Sequence, residues 1–239
     1  MAHVNDGFPT SIRIGTWNVR ECVPKRPCPD VIGELTSLVR DMRLDVLSLQ
    51  EVPFSGSGSP LLALQDLDCR LPYVAEHVLS VGMHGSPSSG LALVSRFPLE
   101  SVTRTLFPNP CLRLNGLRSF DKGVMTAAIA VGGRSVRVAG VHVFPFHRFG
   151  RRAEEDVFAP IWDLFGNEVA KQVKGPVFVA GDLNTRRRDL IPPRIVALDS
   201  AVRAGVDDIL YGAGAQLISV DIVPGFSDHN LCVAEFELP

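Results

Sequence analysis

The chain has 239 residues, 46% hydrophobic and 21% charged, which excludes a disordered polymer and describes a globular unit able to bury a core of domain size. Basic and acidic residues nearly cancel, 24 against 26, so a polycation built to coat nucleic acid or an anionic membrane is excluded and any phosphate affinity must be local. Five cysteines form an odd set without zinc-type spacing, which argues against a disulfide scaffold.

Residues 1–10 lack the basic-then-apolar run of a secretion signal, and no apolar stretch has the length of a membrane span. The expectation is a reduced, cytoplasmic protein, a monomer, folded as a single domain over residues 1–239. Of the 24 basic residues 20 are arginine, which suits planar phosphate recognition and follows equally from GC-rich codon choice.

Short apolar runs bounded by Gly, Pro, Asn and Asp predict strands, in chain order, at residues 12–19, 45–49, 91–95, 124–131, 135–143, 177–180, 219–223 and 232–238. Gly132-Gly133 predicts a tight hairpin between the fourth and fifth of these. Helical spacing of Val31, Leu35, Leu38, Val39 and Met42 follows Asp30, a natural N-cap. A second helix is expected within 154–173, opened or bent by Pro160, and a third over 195–204, ended by Gly205. Turn composition predicts loops at 22–29, 53–60, 82–90 and 107–122. Strands interleave with fewer helices, so the class is α/β with several strand-rich layers.

The chemical signal is positional. Asn18 closes the first strand, Glu51 follows the second, His142 ends the 135–143 run, Asp182 and Asn184 follow 177–180, and Asp228-His229 precede the last strand. Each taken alone is a turn residue, a helix cap or a core histidine. Turn chemistry does not ask for Glu or His at these places, however, and five strand ends can meet at one rim. Carboxylates gathered there repel one another unless a cation neutralises them. Oxygen donors from Asp, Glu and Asn favour a hard ion, Mg²⁺ with Mn²⁺ as substitute, and no zinc-type grouping is present.

Thr16-Trp17-Asn18, Leu49-Gln50-Glu51, Gly181-Asp182-Leu183-Asn184 and Ser227-Asp228-His229, in that order, resemble the motifs of the endonuclease/exonuclease/phosphatase superfamily. Val206-Asp207-Asp208-Ile209-Leu210 and the stretch from Gly90 to Arg96 add to the likeness, which runs from Ile12 to Phe236. The resemblance implies a four-layer α/β sandwich, with two mostly antiparallel central sheets packed face to face and helices outside. It also implies metal-dependent phosphoester hydrolysis at one rim. Carried over position by position, it makes Glu51, Asn18 and Asp228 the Mg²⁺ side, with Asn18 a ligand or an orienting amide. Asp182 orients or deprotonates the attacking water, Asn184 hydrogen-bonds a phosphate oxygen, and His142 binds the phosphate and serves as a proton donor to the leaving oxygen. His229 is the other candidate base, steered by Asp207. The choice of base between Asp182 and His229 stays open, as does the partner of His229, because Asp208 stands where the family often has an aromatic residue. Only 44 positions separate Asn184 from Asp228, so substrate loops look trimmed.

Two basic clusters, Arg148, Arg151 and Arg152, then Arg186, Arg187 and Arg188, follow His142 and Asn184 and are candidate substrate contacts. Phe144, Phe146 and Phe149 alternate with them as candidate stacking groups or loop anchors. Lys122 reads as a loop charge able to reach a phosphate, and Trp17 and Trp162 as packing residues. The expected activity is a nuclease or other nucleic-acid phosphodiesterase. The alternative is a phosphomonoesterase or lipid phosphodiesterase acting on a small phosphorylated head group.

Overall fold

A computed structural model describes residues 10–54, 60–65, 70–80, 88–171, 175–203, 205–212 and 214–239. In chain order the elements are β1 (Thr10–Asn18), α1 (Val31–Asp41), β2 (Val46–Phe54), α2 (Pro60–Leu64), β3 (Tyr73–Ser80), β4 (Ser88–Ser95), β5 (Glu100–Leu106), β6 (Arg113–Leu114), β7 (Leu117–Arg118), β8 (Gly123–Val131), β9 (Arg134–His142), α3 (Ala159–Ala170), β10 (Val177–Asp182), β11 (Asp199–Ser200), β12 (Asp207–Gly212), β13 (Gln216–Val223) and β14 (Leu231–Leu238). Two six-stranded sheets result, ordered β13-β14-β1-β2-β4-β3 and β11-β12-β10-β9-β8-β5. Each is antiparallel except for one parallel pair, β1 with β2 and β9 with β10.

The period-2 alternation of the strands sorts side chains into layers. Ile12 and Ile14 of β1, Val136 and Val138 of β9, and Phe178 and Ala180 of β10 share one core cluster between the sheets. The intervening residues face outward. Leu47 and Leu49 pack with Leu35 and Val39 of α1, and Val177 and Val179 pack with Ile161, Phe165 and Val169 of α3. The result is the four-layer sandwich. Asp30 caps α1 by accepting the Gly33 N–H at 2.8 Å. Pro160, at the start of α3, opens that helix rather than bending it.

Several local expectations are corrected. No helix forms among the described residues of 195–203, and Ala204 lies outside them. Asp199 and Ser200 pair with β12 instead, and the Asp208 carboxylate accepts the Val202 N–H, a tertiary hydrogen bond that competes with helix formation. β3, β5 and β12 were not anticipated. β3 and β5 are sheet edges, half-solvated and polar, so they lack a continuous apolar run. β4 starts at Ser88 inside the expected 82–90 loop, β2 runs to Phe54, and the 107–122 segment contains the β6–β7 hairpin. Gly132 and Gly133 make the predicted turn with φ of 56° and 78°, the left-handed pair a tight hairpin requires.

Cys22, Cys28, Cys111 and Cys232 are free thiols, and Cys69 lies outside the described residues. No described helix is long and apolar enough to cross a membrane.

The parallel β9–β10 pair approaches so closely that a Cβ on Gly181 would lie 2.0 Å from the Val141 carbonyl oxygen. Gly181→Ala therefore overpacks the strand that carries Asp182, at a cost of about 1–3 kcal/mol. On a chain of this size that lowers the thermal midpoint by about 2–4 °C per kcal/mol. An unchanged midpoint in calorimetry would show that the approach is looser than described.

Candidate active site

The alternation that buries the inter-sheet core also aims the polar strand ends. Asn18 shares its face with Ile12 and Ile14, His142 with Val136 and Val138, and Asp182 with Phe178 and Ala180, so all three point between the sheets at one rim. Register completes the set, because Asp182 lies opposite His142 on one side and Asp207 on the other. Asp208, one residue on, points to the opposite face, where it binds Arg188, Ser200 and the Val202 N–H. The choice that stayed open in the sequence is settled by parity: Asp207 Oδ2 is 2.8 Å from His229 Nδ1.

Glu51 has the wrong parity to enter the cleft from a regular strand. The β2–β4 register shifts between Leu49 and Val52, and Glu51 takes φ of 52°, so a bulge turns its carboxylate to the cleft. The last loop is pinned from β1. The Trp17 indole donates to the His229 carbonyl at 3.0 Å, Ser227 Oγ donates to the Asn18 carbonyl at 2.7 Å, and Gly225 lies under the Trp17 ring, where a Cβ would come within 2.3 Å. Trp17 is thus a positioning residue as well as a packing one. Across the sheets, Asn18 Nδ2 donates to Asp182 Oδ2 at 3.1 Å while Asn18 Oδ1 accepts the Arg20 N–H at 3.0 Å. Both ends of that amide are engaged, which favours the orienting role. Asn184, at φ of 51°, donates its N–H to Asp182 Oδ1 at 2.8 Å and its side-chain amide to the Val143 carbonyl at 2.8 Å.

Asn18, Glu51, His142, Asp182, Asn184, Asp228 and His229 line a single cleft of about 780 Å³. His142 Nε2 lies 3.5 Å from Asp182 Oδ2 and 3.8 Å from Glu51 Oε1. Burial and the neighbouring Asp207 carboxylate push the Asp182 carboxyl up to about 7. Burial works against a charged His229, but the hydrogen bond and charge of Asp207, joined by Asp182 and Asp228, prevail and raise it to about 9. Burial, with Lys122 and His229 adding like charge, holds His142 well below its usual value.

Lys122, read from the sequence as a loop charge, stands at the centre, its Nζ 3.1 Å from His142 Nε2. Burial lowers its pKa against the opposing pull of Glu51, Asp182 and Glu21. Arg20 was missed. It lies 3.8 Å from Asp228 in a rim segment where Arg20, Glu21 and Cys22 have φ of 48°, 54° and 56°, a left-handed run that apolar periodicity does not signal.

Of the candidate substrate arginines only Arg148 lines the cleft. Arg151 pairs with Glu155, Arg152 with Glu154, and Arg187 with Asp189 and Glu154, while Arg186 is exposed away from the lining. The short sequence spacing between those opposite charges lets them neutralise one another locally. Phe144 and Phe146 are fully buried beneath α3 and serve as anchors, and only Phe149 of that trio reaches the cleft.

The comparisons with known proteins follow the same line. A model described as the Endonuclease/Exonuclease/phosphatase family matches residues 15–229. Among solved structures the chain is similar to an endonuclease/exonuclease/phosphatase from Beutenbergia cavernae DSM 12333, with a TM-score of 0.72 at 17% identity, covering 96% of this chain and 72% of that one. It is similar to the human Nocturnin catalytic domain, with a TM-score of 0.66 at 18% identity over 96% and 94% of the two chains. It also resembles ANGEL2, titled a 2′,3′-cyclic phosphatase in complex with adenosine-2′,3′-vanadate, with a TM-score of 0.65 at 14% identity over 96% of each chain. No curated protein sequence matches.

The donor set fits a hard divalent cation. Glu51, Asp182 and Asp228 bring carboxylates to one cleft, and Asp207 Oδ1 beside Asp182 is buried without a hydrogen-bond partner. The metal-free protein should lose thermal stability as pH rises from 6.5 to about 9, above the range in which the depressed His142 acts in the opposite direction. Asp182, raised in the fold from 3.8 to about 7, favours the folded state less as pH climbs through that interval, and the stability His229 contributes is complete below 6.5 and lost through about 9. Millimolar Mg²⁺ or Mn²⁺ should raise the midpoint, more at pH 8 than at pH 6, because the carboxylates bind metal deprotonated. Differential scanning fluorimetry in chelator and in metal checks both, and a midpoint indifferent to the ions counts against the metal centre.

Proposed function

The chain belongs to the endonuclease/exonuclease/phosphatase family, and from that premise we propose that it is a Mg²⁺-dependent phosphodiesterase cleaving nucleic acid by attack of an activated water. The observation that carries this reading is the convergence of strand ends from both sheets in one cleft, each sheet bringing carboxylates and an imidazole, Glu51, Asp228 and His229 from one and Asp182 and His142, with Lys122, from the other. Glu51 and Asp228, with Asn18 as orienting amide, hold the ion. When bound, it supplies positive charge to the phosphoryl oxygens and the leaving group.

The chain's own residues divide the proton work. Asp182, with a pKa of about 7, is the base that takes the water proton as the new P–O bond forms and the P–O bond to the leaving oxygen breaks, that oxygen taking its proton from solvent. His229, raised to about 9, is an imidazolium at neutral pH and faces the phosphoryl oxygens as a cation. Asn18 and the Asn184 N–H hold the Asp182 carboxylate by both oxygens, which aims its remaining lone pairs. His142, kept neutral, is a hydrogen-bond donor to the phosphate rather than the proton source for the leaving oxygen. Lys122 adds positive charge beside it.

A second reading, a phosphorylated small head group as substrate, is supported by the local neutralisation of Arg151, Arg152 and Arg187, which leaves little basic surface for a long polyanion. Release of inorganic phosphate from inositol phosphates or nucleotides without strand scission would decide for it.

Asp182→Asn and His229→Ala should each lower kcat on single-stranded or plasmid DNA by about a hundredfold to ten-thousandfold. The wild type should need Mg²⁺ or Mn²⁺, and both variants should keep a cooperative melting transition. No strand scission by the wild type across DNA and RNA substrates would overturn the nuclease reading.

A further inference from the structure

Phe120 departs from the burial of the other described phenylalanine rings. It is 54% exposed, the only exposed phenylalanine among the described residues. Its ring lines the catalytic cleft two residues before Lys122, whose ammonium touches His142. The Arg118 guanidinium stands 5.6 Å from the ring centroid, and Arg118 also lines the cleft.

The backbone that carries the ring is held on both sides. Ser119 Oγ donates to Asn109 Oδ1 at 2.9 Å and accepts the Leu112 N–H at 2.9 Å, and the Ser119 N–H donates to the Leu112 carbonyl at 2.9 Å. On the other side Asn109 Nδ2 donates to Asp121 Oδ1 at 2.7 Å, and the Phe107 N–H donates to the Lys122 carbonyl at 2.8 Å. One side chain, Asn109, thus grips both neighbours of Phe120. A fixed backbone beneath an uncovered ring is a preorganised surface, because binding to it orders little of the chain.

We propose that Phe120, with Arg118 against it, is a stacking platform for the base next to the scissile phosphate. The enzyme's substrate is then a phosphodiester flanked by an unstacked base: a single strand, an overhang or a nucleotide ester rather than the interior of a duplex. The inference rests on the nucleic-acid reading above and adds its substrate class. Two residues of chain place the Phe120 and Lys122 Cα atoms at most about 7 Å apart, and both side chains line the cleft, so base and phosphate of one nucleotide can be engaged together. A base offers a flat π-face to the ring and to the guanidinium, and stacking of this kind is tolerant of sequence. An acyl chain would instead meet the charged heads of Arg118, Lys122 and Arg148 in the same cleft. The exposed Leu114 and Leu117 at the hairpin tip make a lipid surface the outcome to test against.

The test compares wild type, Phe120→Ala and Phe120→Trp on a labelled single-stranded oligomer, its duplex, and the same strand carrying abasic residues at the cleavage position. Binding is read by fluorescence anisotropy in chelator and turnover in Mg²⁺. Phe120→Ala should weaken binding and raise KM on the single strand by roughly tenfold, and Phe120→Trp should restore both. On the abasic strand wild type and Phe120→Ala should converge, since the removed base and the removed ring are the two ends of one contact. Equal behaviour of wild type and Phe120→Ala on a single strand that the wild type cleaves would overturn the platform. So would an equal loss on intact and abasic strands, which marks a structural role. Loss of sedimentation with phosphatidylserine–phosphatidylcholine vesicles, with oligomer binding unmoved, would reassign the surface to lipid. Oligomer binding that depends on Phe120 without strand scission by the wild type would fault the nuclease reading and leave the platform standing.

Discussion

Two carboxylates placed side by side in a buried setting are the constraint to which the rest of the rim answers. Asp182 and Asp207 are register partners on adjacent strands, and their like charge, out of water, cannot stand without compensation. Each surrounding group relieves part of it. His229 is drawn into its charged form, the Asn18 amide and the Asn184 N–H donate to Asp182, and the Asp182 carboxyl is pushed up to about 7. A buried Asp207 oxygen still lacks a partner, which marks the position as one for further positive charge.

The frame that imposes this crowding is rigid for ordinary reasons. Two parallel strand pairs, one in each sheet, end at the same rim, and close backbone approach at Gly181, with Gly140 packed against Ser48 between the sheets, leaves little freedom to relax. The Asn18–Asp182 hydrogen bond spans the sheets at that edge, so packing of the apolar interior and alignment of the polar site are one structural event. The Trp17 indole extends the coupling to the loop that bears His229. Proton chemistry at the rim is set mainly by burial and by which strand lies next to which.

Much of the frame was legible in the linear order of residues. Buried strands announce themselves as apolar runs, and α1 announces its start through Asp30. Edge strands β3 and β5 do not, because half their residues meet water, and the 195–203 segment misleads because its helical spacing is overridden by a hydrogen bond to Asp208, which no local pattern encodes. Asn18, His142 and Asp182 could be picked out as polar residues at the ends of buried runs. Lys122 read only as a loop charge able to reach a phosphate, Arg20 could not be picked out because it sits in a loop of ordinary composition, and Arg151, Arg152 and Arg187 looked like substrate ligands because their acidic partners had not yet been assigned.

The amino-acid order by itself determined the fold class, the period-2 faces and the inventory of oxygen and imidazole donors, because burial periodicity and residue chemistry are local properties of a chain. Tertiary structure alone decided that Asp207 rather than Asp208 meets His229, that a bulge turns Glu51 inward, that Lys122 touches His142, and that Phe120 stays uncovered. Those outcomes depend on strand register, inter-sheet spacing and the pairing of charges distant in sequence. Such properties arise only when the two sheets close upon each other.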